Sequence, residues 1–108
     1  MNCRFPNLVV ALCLILPGAA AAQMSPSEQR GQTFVRANCS TCHAIDKLSA
    51  SPIKIAPPFR DLHRRYPVES LQEALVEGIR TGHVNMPEFR LDAGQASDVI
   101  AYLKSLER

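Results

Sequence analysis

Two cysteines separated by two residues, with a histidine directly after the second, restrict the architectures open to this chain more than any other feature: Cys39-Ser40-Thr41-Cys42-His43. Thiols at this spacing can each add to one of two vinyl groups on the same edge of a porphyrin. The next residue then sets an imidazole under the iron, which is the arrangement of covalent haem attachment. Three other uses of paired cysteines compete with this one. A thioredoxin-like redox pair calls for a preceding strand in a βαβ pattern, and none is legible. Structural zinc takes four ligands, and only Cys39, Cys42 and a histidine are near one another in sequence. A plain disulfide would close too short a loop to staple a fold, and it leaves His43 without a role.

The other two cysteines fall in a segment of different character. Arg4 and the amino terminus supply positive charge, Leu8 to Leu16 is an unbroken apolar run of nine residues, Pro17-Gly18 breaks it, and Ala20-Ala21-Ala22 comes next. This is the three-part pattern of a secretory signal cut between Ala22 and Gln23. The expected organisation is therefore a cleaved signal peptide, 1–22, and one domain, 23–108, exported to the periplasm. Nine residues rising about 1.5 Å each cannot cross a hydrocarbon core of about 30 Å, so stable membrane insertion is not expected. Leu12 is bulky where a lipoprotein signal before Cys13 needs a small residue. Cleavage leaves Cys39 and Cys42 as the remaining cysteines, and eleven Lys and Arg against ten Asp and Glu. Such a balance lacks the basic excess of a nucleic-acid partner. With no Trp, four Phe and two Tyr in the whole chain, the apolar supply is small, and a large buried cofactor would make up the core.

The fold class read from the pattern is all-α, with four helical segments and no strand. Ser25-Pro26-Ser27-Glu28 has the signature of a capping box with proline in the first turn, opening a helix to about Asn38 with Phe34 and Val35 inward. Residues 44–58 read as loop, because Pro52, Pro57 and Pro58 interrupt any helix. Phe59 to Tyr66 reads as a short helix ended by Pro67. Leu71, Ala74, Leu75, Gly78 and Ile79 form one stripe, with Gly82 as the expected terminator. Residues 82–89 carry no periodicity. Asp92-Ala93-Gly94-Gln95 opens a last helix with Ala96, Val99, Ile100, Leu103 and Leu106 on one face. The loops 44–58 and 82–90 have little of their own to pack against, so haem-free protein should be largely unfolded.

An imidazole on one side leaves the sixth position of iron to be filled. Met86 stands in a loop, where a side chain can point at a cofactor, and Pro87 stiffens the chain behind it. From the residues alone Met86 could equally be a core filler, since methionine packs readily into gaps. His83, three residues away, and His63 are alternative nitrogen ligands.

Taken together, these features resemble the small class I c-type cytochromes over about Arg30 to Leu106. Gly31, eight residues before Cys39, is similar to the family's helix-crossing glycine. Asp98 to Lys104 resembles its C-terminal helix motif, with Tyr102 as the crossing aromatic. Ala56-Pro57-Pro58-Phe59 resembles a segment in which the proline carbonyl accepts a hydrogen bond from the proximal histidine, and Met86-Pro87 resembles the axial methionine with its adjoining proline. The resemblance implies the cytochrome c fold, three to four helices packed around one covalently bound haem c. Cys39 and Cys42 would bind the cofactor, His43 and Met86 the iron, and Pro57 would support His43. Two departures stand out. The chain has no tryptophan to meet a haem propionate, a role left to Tyr66, Arg60, Arg64 or Arg65, and Ala56 replaces the usual glycine.

The implied function is that of a periplasmic one-electron carrier, not an enzyme, monomeric and exchanging electrons with redox-protein donors and acceptors. Near-neutral charge implies weak long-range steering of such partners. Two alternatives are a monohaem subunit of a larger periplasmic oxidoreductase, and a haem enzyme or gas-binding sensor with an open sixth site.

Overall fold

The computed structural model describes residues 23–78 and 86–108, with Leu14 and Gly18 besides. Most of the signal-like segment 1–22, together with Ile79, Gly82 and His83, lies outside the described residues.

Helix formation begins at two reciprocal caps. The Glu28 amide donates to Ser25 Oγ at 3.1 Å, and the Ser25 amide donates back to the Glu28 carboxylate at 2.9 Å. With Pro26 in the first turn, these bonds satisfy amides that a helix start leaves orphaned, and α1 runs Pro26–Asn38. Asp92 and Gln95 repeat the device, at 2.8 and 3.2 Å, to open α3, Ala93–Ser105. Between them lie a 3-10 turn at Phe59–Arg64, another at Val68–Ser70, and α2, Leu71–Glu77. No strand occurs among the described residues, and none of their helices is long and apolar enough to cross a membrane.

The short helix expected after Pro58 forms over Phe59–Arg64, and it is 3-10: Phe59 and Leu62, three residues apart, are both buried, the spacing that three residues per turn puts on one side. The stripe beginning at Leu71 ends earlier than expected. Gly78 has φ of 79° and ψ of 39°, the left-handed conformation, and its amide donates to the Ala74 carbonyl. Gly78 therefore terminates α2 instead of extending its apolar face, because glycine takes this conformation without Cβ strain.

The core is built where α1 crosses α3. A Cβ on Gly31 would lie 2.0 Å from the Asp98 carbonyl oxygen and 2.8 Å from Tyr102 Cβ, so the two backbones meet where no side chain fits. Val35 on α1 is completely buried against this face, as is Ala96, with Val99, Ile100 and Leu103 nearly so. Each such aliphatic side chain larger than alanine contributes about 1.5–3 kcal/mol on burial. Polar contacts fix the register around the crossing. Ser27 donates to Asp98 at 2.7 Å, and the Arg30 guanidinium makes two bonds to it at 2.8 and 2.9 Å. Those donors hold the Asp98 carboxyl below its usual range, Arg30 first and Ser27 second. Exposed pairs of this kind contribute little to stability by themselves. α2 leans on α3, with Gln72 donating to Ser97 at 3.1 Å and Lys104 paired to Glu69.

Candidate cofactor site

The cysteine–histidine motif begins where α1 stops. The Cys39 amide donates to the Val35 carbonyl at 2.8 Å, closing the helix. The Cys42 and His43 amides then donate to the Cys39 carbonyl at 3.2 and 2.9 Å. This second tight turn leaves both thiols half-buried and His43 buried on the inner side. The sulfurs are not joined to each other. Burial, and after it the neighbouring Cys42, push the Cys39 thiol up to about 11. A thiol of that kind stays protonated at neutral pH, the reverse of the depressed values of catalytic redox pairs. Among the described residues no group of three or more His, Cys, Asp or Glu side chains is arranged to hold a metal ion.

The segment from Ala44 to Phe59 fixes the His43 ring. The Phe59 amide donates to the Ala44 carbonyl at 2.9 Å, which folds the chain back and brings Pro57 beside the imidazole. His43 Nδ1 lies 2.8 Å from the Pro57 carbonyl oxygen. A carbonyl only accepts, so Nδ1 is the donor in this bond, and the other ring nitrogen, Nε2, is buried. The Phe59 ring stacks obliquely on the imidazole, 4.7 Å between centroids. Ala56, where the resemblance leads one to expect glycine, is buried and bonds its amide to Ile53, so its methyl is accommodated.

The loop 44–58 is better tied than its prolines suggest. Asp46 accepts from the Leu48 and Ser49 amides at 2.9 and 2.6 Å and from Ser49 Oγ at 2.6 Å. These bonds, with the Ser49 hydroxyl first, lower its carboxyl to about 2. Arg60 donates to the Ser49 carbonyl at 2.6 Å, Ala44 to Ser51 Oγ at 2.9 Å, and Tyr102 from α3 to the Ile45 carbonyl at 2.6 Å. Asp46-Lys47-Leu48-Ser49 is an Asx-type turn whose side-chain chemistry was visible in the sequence.

These elements surround a cleft of about 350 Å³, within the size range of cofactor sites. Phe34 and Val35 of α1, Leu75 of α2 and Leu103 of α3 form much of its apolar wall, and Cys39, His43 and Met86 also line it. A smaller recess of about 70 Å³ shares those three residues and adds Cys42. Two thiols, a buried imidazole and a thioether thus border two adjoining apolar spaces. That donor set fits an iron porphyrin attached through two thioethers. His63, by contrast, is exposed and lines neither space, and His83 lies outside the described residues. Of the four residues that could meet a propionate, Arg65 and Tyr66 line the cleft, whereas Arg60 is bonded to Ser49 and Arg64 lies 3.5 Å from Asp61.

A family model described as cytochrome c matches residues 28–107. The chain belongs to the cytochrome c family. A curated relative, cytochrome c-552 of Bradyrhizobium diazoefficiens, is 28% identical over 97 residues, covering 88% of this chain and 91% of the relative. No solved structure matches. As a cytochrome c, the protein carries haem c, held covalently through a cysteine pair, and serves electron transport together with redox partners.

Proposed function

We infer that this cytochrome c is a diffusible periplasmic one-electron carrier, released by cleavage after Ala22. In this reading Cys39 and Cys42 would hold the haem covalently, His43 and Met86 would bind its iron, and Pro57 would orient His43. The observation that carries the reading is the convergence of Cys39, His43 and Met86 on one apolar cleft, with His43 Nδ1 held 2.8 Å from the Pro57 carbonyl. The haem supplies one-electron iron chemistry. The residues of this chain do the rest. Pro57 fixes the imidazole tautomer and raises its basicity. The thioether of Met86 is a soft neutral donor that favours the ferrous state, and the apolar wall disfavours the additional charge of the ferric state, so both raise the potential. With His43 and Met86 both on the iron, small ligands would find no open site, which would suit electron transfer rather than bond breaking. Bacterial c-type cytochromes are generally extracytoplasmic, in keeping with the signal-like segment.

Met86→Ala tests the ligation. The variant is expected to lose the ferric absorption band at the red edge of the visible that reports iron–methionine bonding, and to bind carbon monoxide rapidly when reduced. Its potential should fall by on the order of 0.1 V, part of the roughly 0.8 V range that axial ligands span. An unchanged band and potential would mean that Met86 is not the sixth ligand.

A further inference from the structure

The chain immediately after Met86 is docked onto α2 and α1 by contacts that have no share in the ligand set. α2 ends with orphaned carbonyls, and one of them, Leu75, accepts the Leu91 amide at 2.9 Å. Capping the helix and docking residues 87–91 are therefore one event. Gly78, at the same helix end, is covered by this arm. A Cβ there would lie 2.7 Å from Glu88 Oε1 and 2.8 Å from Arg90 Cγ. On the other side the Phe89 ring meets Phe34 of α1 edge-on, with centroids 6.1 Å apart and planes at 77°. Phe34, Phe89 and Met86 all line the main cleft. The arm is thus held through Glu88 and Arg90 over Gly78, Phe89 on Phe34 and Leu91 on Leu75, all within five residues of the thioether.

We propose that Gly78 and Phe89 are positioning residues that determine how firmly Met86 is presented to the haem iron, an inference that rests on Met86 being the sixth ligand. The sulfur is a weak neutral ligand on a flexible side chain. Its occupancy of the iron therefore depends on how little freedom the arm has. Gly78 acts by leaving the Glu88 and Arg90 side chains room to lie over the helix end, and Phe89 by locking the arm against α1.

The test compares Gly78→Asn, Phe89→Ala and Phe89→Tyr with Met86→Ala in the holoprotein. Asparagine tolerates the left-handed conformation, so α2 can still end there while its Cβ crowds Arg90. Gly78→Asn and Phe89→Ala are expected to weaken the ferric red-edge band and to speed carbon monoxide binding to the reduced protein by about 10-fold or more. Far-ultraviolet dichroism should be unchanged, and Phe89→Tyr should retain the band. If Phe89→Ala loses helix, Gly78→Asn decides. A full band and parental carbon monoxide kinetics in Gly78→Asn and Phe89→Ala, alongside a Met86→Ala that has lost the band, would overturn the positioning role and leave the ligand intact. A Met86→Ala that keeps the band would overturn both.

Discussion

Protein in which Cys39 and Cys42 are both replaced by alanine, isolated without haem, is expected to lack a cooperative fold. The reason is the size of the space left behind. An apolar cleft of about 350 Å³, at about 24 cal/mol per Å³ of residual cavity, represents up to about 8 kcal/mol. Stabilities of whole domains are about 5–15 kcal/mol, so the loss is of the same size as everything the fold has. The remaining polypeptide must then collapse into the space or unfold. Collapse is opposed by the α1–α3 crossing, which is already in backbone contact at Gly31 and cannot close further. The hydrogen bonds around Asp46 keep part of the 44–58 loop in local order without replacing the missing apolar contacts. Weak far-ultraviolet dichroism and no sigmoidal thermal transition would agree with this. Full helix content with a cooperative melt in the haem-free variant would contradict it.

Gly31→Ala is expected to destabilise the holoprotein by about 2 kcal/mol or more, although helix propensity predicts the opposite sign. Alanine in a helix interior is favoured over glycine by about 1 kcal/mol. Against that, the added Cβ would stand 2.0 Å from the Asp98 carbonyl oxygen and 2.8 Å from Tyr102 Cβ. The nearer atom is helix backbone and cannot swing away, so α1 and α3 must separate. Forcing extra volume into a packed interface costs about 1–3 kcal/mol and occasionally more, and backbone contact puts this case at the upper end. Separation would also loosen the Ser27 and Arg30 bonds to Asp98. Denaturant unfolding with an unchanged slope and a lowered midpoint would register the loss. A midpoint equal to or above that of the parent would show that the crossing has room that the structure denies it.

Much of this was legible in the sequence because it is encoded locally. Both long helices begin at capping boxes whose residues lie within four positions, and the Cys39-to-His43 turn is read from adjacent residues. Gly31 and Tyr102 were legible through their likeness to a known pattern. Other features depend on residues far apart in the chain. Arg30 and Asp98 are 68 positions apart, and neither the charge pattern nor periodicity pairs them. Phe34 and Phe89 likewise meet across the cleft. Gly78 was misread because it falls on the apolar stripe of α2, where spacing alone cannot distinguish a residue that continues a helix from one that ends it. The deciding contact, Leu91 capping Leu75, is tertiary. Similarly, nothing in Arg60, Arg64, Arg65 and Tyr66 as a string shows which ones turn toward the cleft; folding the loop around Asp46 commits Arg60 elsewhere.

The central claim is covalent attachment of one haem at Cys39 and Cys42 in a processed chain. Intact-mass measurement of the protein purified from the periplasm tests it most directly, combined with its visible spectrum. The expected species has the mass of residues 23–108 plus one haem, retains that mass after acid–organic extraction, and shows a Soret band. A colourless protein with the mass of the polypeptide alone would contradict the account.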